Sequence, residues 1–238
     1  GLCPVRGHSN VQGDRTMGIV EKPKEDFLEA LDTAFSMTSP RRHGVDAVGA
    51  IHAMADGRAK AFIGLGGNFA AATPDTPATE AALRRCQLTV QISTKLNRSH
   101  LVHGEQAYIL PCLGRTERDL QNGVLQKVSV EDSMSRVHAS AGRLKPASVH
   151  LRSEPTIIAG IAAAALPNSS IGWAALGADY DAVRDRIEAV IPGFENFNER
   201  LADPKGFYLG NSAAERRWAT ASGRAEFHDH PLPDLTLP

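Results

Sequence analysis

The stretch that most constrains this chain is Ala61-Phe-Ile-Gly-Leu65, a short apolar run that leads straight into Gly66-Gly67-Asn68. A run of that length reads as a strand, and glycines at its carboxyl end let the backbone turn sharply. Thr76-Pro77 reads as an N-cap followed by proline at the first helical position, with Ala78, Ala81, Ala82 and Cys86 continuing the helix. Leu88-Thr-Val-Gln-Ile92 is a second strand and Ala107-Tyr-Ile-Leu110 a third, stopped by Pro111. Strands separated by a helix or a long connection cannot be joined by hairpins. The expected fold class is therefore α/β, a layer of parallel strands with flanking helices.

The flanks are read from their periodicity. Residues 1–23, glycine-punctuated and polar, are expected to form a loop. Phe27, Leu28, Leu31, Ala34 and Phe35 fall on one helical face, and Pro40-Arg-Arg-His-Gly44 breaks the pattern. Val45, Val48, His52 and Ala55 make a second stripe, ended by Asp56-Gly57, on which His52 is expected to be a packed core residue. Residues 113–153 show no dominant period. A helix then starts at Ser153-Glu-Pro155 with Ile157, Ile158, Ile161, Ala162 and Ala165 on one face. Tyr180, Val183, Ile187 and Val190 mark another, closed by Pro192-Gly193, and from Phe207 onward the chain reads as extended.

Composition narrows the class. Lys and Arg total 26 against 27 Asp and Glu, a net charge of −1, which argues against a generally basic nucleic-acid binder. The three cysteines, Cys3, Cys86 and Cys112, lie far apart without a CxxC, which suggests a reducing compartment. They cannot by themselves supply the four thiolates of an iron–sulfur cubane. No apolar run reaches the roughly eighteen residues of a membrane span, so a soluble, cytoplasmic protein is expected. The chain starts without Met inside a glycine motif and stops in a Pro-rich tail, as a piece of a longer protein would.

Three segments carry candidate chemistry. Gly64-Leu-Gly-Gly-Asn-Phe69 could cradle a phosphate at a strand's carboxyl end, or be an ordinary tight turn. Gly7-His-Ser-Asn-Val-Gln-Gly13, preceded by Arg6, suits a polar ligand with several edges, or a solvated loop. Ser93-Thr-Lys-Leu-Asn-Arg-Ser-His100 offers hydroxyls, an amide and a cation, Lys95 or Arg98, for a purine or phosphate, or starts a solvated helix. Other chemistries lack an anchor. There is no GxSxG, no GxxxxGK[ST], and His228-Asp-His230 has no further Cys or His at zinc spacing.

The run Cys3-Pro-Val-Arg-Gly-His-Ser-Asn-Val-Gln-Gly-Asp-Arg-Thr-Met-Gly18 resembles the PVRGxxNVQGxxxMG segment of molybdopterin-dependent formate dehydrogenases in the DMSO reductase superfamily. More narrowly, it resembles the formate-dehydrogenase-like group called oxidoreductase alpha (molybdopterin) subunits. Lys60–Asn68 resembles the family's strand and Gly-x-Asn loop, and Ala219–Phe227 looks like the TxSGKxEF junction before a C-terminal domain. His8-Ser9 and Ser93 depart from the amide pair and the acidic guanine contact that many relatives show.

The resemblance implies a central fragment of a larger enzyme. Residues 1–43 would be a cofactor-lining loop and helix from a neighbouring lobe, and 44–150 a Rossmann-like dinucleotide-binding domain. Residues 151–238 would be a helical extension and junction. The implied cofactor is molybdenum or tungsten on bis-molybdopterin guanine dinucleotide, with a [4Fe–4S] cluster and the metal-ligating residue outside these limits. Gly66, Gly67 and Asn68 would meet phosphates or ribose, and Ser93, Thr94 and Lys95 the guanine and ribose. Gly7, Asn10, Gln12 and Gly13 would line the pterin side, and Arg6 would face the carboxylate of a small substrate. Two electrons would pass through the metal toward the cluster and an acceptor, and the fragment alone would be inactive. The alternative is a non-catalytic nucleotide-binding or scaffold module that keeps the fold without the metal.

Overall fold

The computed structural model describes residues 10–231. The first described element is helix α1 (Val11–Thr16), inside the segment expected to be loop. Asn10 explains the difference: its Oδ1 accepts from the Gly13 amide at 3.2 Å and caps the first turn. Helix α2 (Glu25–Phe35) carries the expected stripe. Its Asp32 carboxylate accepts from both the amide and the hydroxyl of Ser39 and pairs with Arg41, which ties down the following loop. Helix α3 (Ala47–Ala55) is capped by Asp46. His52 is a correction, because it lies exposed while Ala53 and Met54 point inward. The segment is apolar nearly all round, so the larger Met54 and Ile51 decide the buried face.

Next come strand β1 (Ala61–Leu65), the short helix α4 (Phe69–Ala72) and helix α5 (Thr76–Arg84). The cap of α5 is Asp75, accepting from the Ala78 amide at 2.9 Å, so Thr76 is the first helical residue and not the cap. Strand β2 (Leu88–Ser93) leads through a 3-10 turn (Arg98–Leu101) to strand β3 (Gln106–Pro111). All pairings are parallel, in the order β1-β2-β3, with Ile63 opposite Val90 and Val90 opposite Tyr108. This is the α/β layer expected of a Rossmann-like lobe.

Residues 113–153 are less irregular than their composition predicts. Strands β4 (Leu120–Gln121) and β5 (Val124–Leu125) form a hairpin across Asn122-Gly123, both residues at positive φ. Asn-Gly is the preferred pair for such a turn and is the local signal that periodicity overlooks. Strands β6 (Val128–Glu131) and β7 (Arg136–Ser140) pair antiparallel. Asp132 closes their turn by accepting from the Met134 and Arg136 amides.

The chain ends with helices α6 (Glu154–Ala165), α7 (Trp173–Ala178), α8 (Tyr180–Val190) and α9 (Phe197–Leu201), then strand β8 (Phe207–Tyr208) beside β7. Only Phe207-Tyr208 of the expected extended tail is a strand; the rest of the described tail forms no regular element.

Three apolar clusters hold these parts together. Met54, Ala70, Ala82, Leu83, Cys86 and Val102 seal α3, α4 and α5 to one face of the parallel sheet. On the other face, Ile157 and Ile161 of α6 cover Val90, Ile92 and Leu110. Phe194, Phe197 and Phe207 join α8, α9 and the antiparallel strands, with ring centroids 4.8–5.9 Å apart. Phe197 is fully buried among these rings. Truncation to Ala should cost about 3–5 kcal/mol of unfolding free energy, read by urea denaturation. A loss under about 1 kcal/mol would show that the aromatic cluster does not carry this half of the molecule.

Candidate functional site

Parallel pairing brings the loops after β1, β2 and β3 to one edge of the sheet. Gly66 and Gly67 follow β1 with φ of +68° and +70°, a conformation that glycine alone adopts without strain. No atom lies within 4 Å of where a Cβ would stand at either position, so both face open space. The Gly66 amide donates to Ile92 O at 2.8 Å. Among the described residues, the amides of Gly67 and Asn68 have no acceptor.

The next crossover fixes this loop from behind. Asn97 Nδ2 donates to Gly67 O at 2.7 Å, and the Ser99 amide and hydroxyl donate to Asn68 Oδ1 at 3.3 and 3.1 Å. Ser99 Oγ accepts from the buried Ala70 amide at 2.9 Å. Asn68 therefore holds the loop's shape through its side chain. Ser93 Oγ donates to Lys95 O at 2.8 Å, while Thr94 and Lys95 stand exposed beside the glycines' edge. Of the two candidate cations, Arg98 is engaged with Glu80 at 2.6 Å, and Lys95 forms no ion pair among the described residues.

The opening motif is only partly visible. Arg6 and Gly7 lie outside the described residues. Gly13 is buried under the Asn10 side chain, where a Cβ would fall 2.2 Å from Asn10 Nδ2. Gln12 Nε2 donates to Glu131 Oε1 at 3.2 Å, and Glu131 is buried with its other oxygen unpartnered among the described residues. No hydrogen bond among the described residues joins Asn10, Gln12 or Gly13 to the loops at 66–68 and 93–95.

A polar network beyond β3 leaves no pattern in the sequence. Glu117 accepts from the Gly114 and Ala147 amides at 2.8 and 2.6 Å, which holds its carboxyl below the usual range. The buried Tyr180 hydroxyl bonds to Asp119 and, at 2.6 Å, to Ser153. Burial and then the Asp119 carboxylate raise its pKa, so it is a neutral donor at physiological pH. Burial likewise raises the Glu154 carboxyl. The Cys112 thiol is pushed up to about 11 by burial and by the nearby Glu154 carboxylate. Glu117, Asp119, Ser153, Glu154 and Tyr180 line a cleft of about 140 Å³ next to Gly114, which neighbours Thr94. The partners sit 27 and 61 residues apart, too far for any spacing rule.

A concavity of about 790 Å³ lies elsewhere, between α2, α6, α7 and α8, and is apolar, lined by Phe27, Leu31, Trp173 and Ile187 among others. None of the described residues predicted as site residues borders it. Among the described residues, no group of three His, Cys, Asp or Glu is placed to hold a metal ion, and no helix is long and apolar enough to cross a membrane.

No family model matches the chain. It is 58% identical over 240 aligned residues to proteins named as uncharacterized oxidoreductases from Mycobacterium bovis and Mycobacterium tuberculosis. It is 53% identical over 227 residues to protein YdeP of Escherichia coli. The match covers 100% of this chain and 31% of the mycobacterial proteins, and 95% of this chain and 30% of YdeP. The chain thus spans about a third of the length of the curated relatives it matches.

Two outcomes follow from the loop geometry. Ser99→Ala strands the buried Ala70 amide and should cost about 1–3 kcal/mol by denaturant titration. An unchanged midpoint would mean that the loop is fastened some other way. The lowered Glu117 carboxyl stabilises the fold above its ordinary pKa of 4.5, and that contribution is lost as pH falls through the lower folded value. The Gly114 and Ala147 amide resonances should therefore move together on acidification, with a midpoint below 4.5. A midpoint at or above that value would contradict the assignment.

Proposed function

We propose that this chain forms the dinucleotide-holding part of a two-electron oxidoreductase that carries molybdenum or tungsten on bis-molybdopterin guanine dinucleotide. The observation that carries the reading is the bare Gly66-Gly67 loop at the carboxyl edge of a parallel sheet, with two amides that have no acceptor among the described residues. Ligands of α/β sheets bind outside that edge. The resemblance of the opening motif and the relatives named as oxidoreductases support it.

The donor set fits the nucleotide end of the cofactor. Amides of Gly67 and Asn68 would meet diphosphate oxygens, which can come close because no Cβ occupies the space. Thr94 and Lys95 would hold ribose and phosphate, the ammonium as a point charge. Gln12, oriented by Glu131, would present its remaining amide valences to the pterin side, with Asn10 and Gly13 shaping the turn. Arg6 and Gly7 would complete that side, with the Arg6 fork on a small anionic substrate. When bound, the metal cofactor supplies the two-electron chemistry, with electrons leaving toward a [4Fe–4S] cluster and an acceptor. This chain's share is to bind and orient it, in a protein working in the cytoplasm.

The test is elemental analysis of the full-length protein for molybdenum, tungsten and iron, with guanine nucleotide assayed after denaturation. Lys95→Ala should lower the retained nucleotide several-fold while leaving the melting temperature unchanged, because the side chain is exposed. Metal-free, nucleotide-free protein that is stably folded would replace this reading with a scaffold that keeps the fold alone.

A further inference from the structure

We infer that the adjoining segments 115–118 and 143–145 form a docking surface for a separate protein that presents an acidic face. The inference rests on the charges of these segments and does not depend on what the glycine loop binds.

The sequence already concentrates positive charge here. From 133 to 153 the chain has no Asp or Glu, yet it carries Arg136, Arg143, Lys145 and Arg152, in a molecule whose net charge is −1. Folding adds to the excess. The Arg118 amide donates to Leu144 O at 2.8 Å, and the Arg143 and Leu144 amides both donate to Thr116 O at 2.9 Å. These bonds set Glu117 beside Leu144 in a parallel bridge, so Arg118 stands next to Lys145 one position further on. Arg115 and Arg143 precede that pair on the two segments. All four cations are exposed, and none forms an ion pair among the described residues.

The nearest carboxylates are spent on other donors. Glu117 uses one oxygen on the Gly114 amide and the other on the Ala147 amide, which fastens the two segments together. Asp119 bonds to the Gln121 side chain and the Tyr180 hydroxyl. Like charges at neighbouring positions repel, so the Arg118–Lys145 pair weakens the fold by itself. A negative partner would reverse the sign of that contribution.

The surroundings say what kind of anion fits. Arg118, Arg143 and Lys145 line neither of the concavities described above, so the charge lies on an open surface that suits an extended partner. Residues 112–153 contain no Phe, Tyr or Trp, and the bases of a single-stranded nucleic acid would find no ring to stack on. Leu144 and Val149, 60% and 80% exposed, stand among the cations and offer the apolar contacts of a protein interface. Complementary charge would orient such a partner and speed its arrival. Because Gly114 neighbours Thr94, the partner would sit next to the carboxyl edge of the parallel sheet.

The test uses the full-length protein and a fluorescent decaglutamate peptide, read by anisotropy at low and moderate salt. The peptide should bind, and added salt should weaken it. Arg118→Glu, Arg143→Glu and Lys145→Glu together should lower its affinity about tenfold or more. The same charge change made at the exposed Lys22, Lys24 and Lys205 should alter it far less. Lys145 should also react with an amine-labelling reagent as fast as Lys205 does. Equal losses in the two triple variants would overturn the proposal, because net charge alone would then explain the binding. Tighter binding of an oligothymidylate, lost in the first variant, would replace the protein partner with a nucleic acid. Protection of Lys145 from labelling, with no peptide bound, would show that the rest of the polypeptide covers this face and would likewise overturn it.

Discussion

The arrangement rests on the parallel pairing of β1, β2 and β3. Parallel strands cannot be joined by tight turns, so every connection must cross a face and return to the same end. That requirement places α4, α5 and the 3-10 turn on one face and gathers the loops after each strand at one edge. The glycine loop, the Thr94–Lys95 tip and the Gly114 cleft are neighbours for this reason, although up to fifty residues separate them in the sequence. Their hydrogen bonds then divide the work. Asn97 and Ser99 spend their donors on the loop's carbonyl and side-chain oxygens, leaving two amides at its tip without a partner among the described residues.

Much of this was legible because the signals were local. The strand at 61–65, the helix with proline near its start and the stripe at 157–165 each contain their own instructions, and each formed within a residue or two of its expected bounds. Local ambiguity misled the rest. In α3, small apolar residues surround the helix, so only the bulk of Ile51 and Met54 could say which way His52 would turn. At 120–140 the strands are too short for a period to register, and the Asn122-Gly123 pair and the Asp132 turn were the clues available.

The candidate site divides the same way. Glycines after a strand pointed to its edge, but the partners that define each residue's task are distant. Gln12 and Glu131 are 119 residues apart, and Asn68 and Ser99 are 31. An asparagine that sequence places among ligand contacts thus turns out to fasten a loop through its oxygen. A glutamine of α1 is held by a buried carboxylate. Only folding brings such pairs together, and no spacing rule encodes them.

The buried cysteines have a consequence for durability. Cys86 and Cys112 are buried in the clusters on opposite faces of the sheet, with their thiols held protonated by burial. Peroxide attacks thiolates, and sulfenic acid formation is the first rung of a sequence that ends irreversibly. Two sulfurs kept as thiols and out of solvent will outlast oxidative episodes that would modify an exposed, ionised one. The strand ends they support keep their shape under chemical stress.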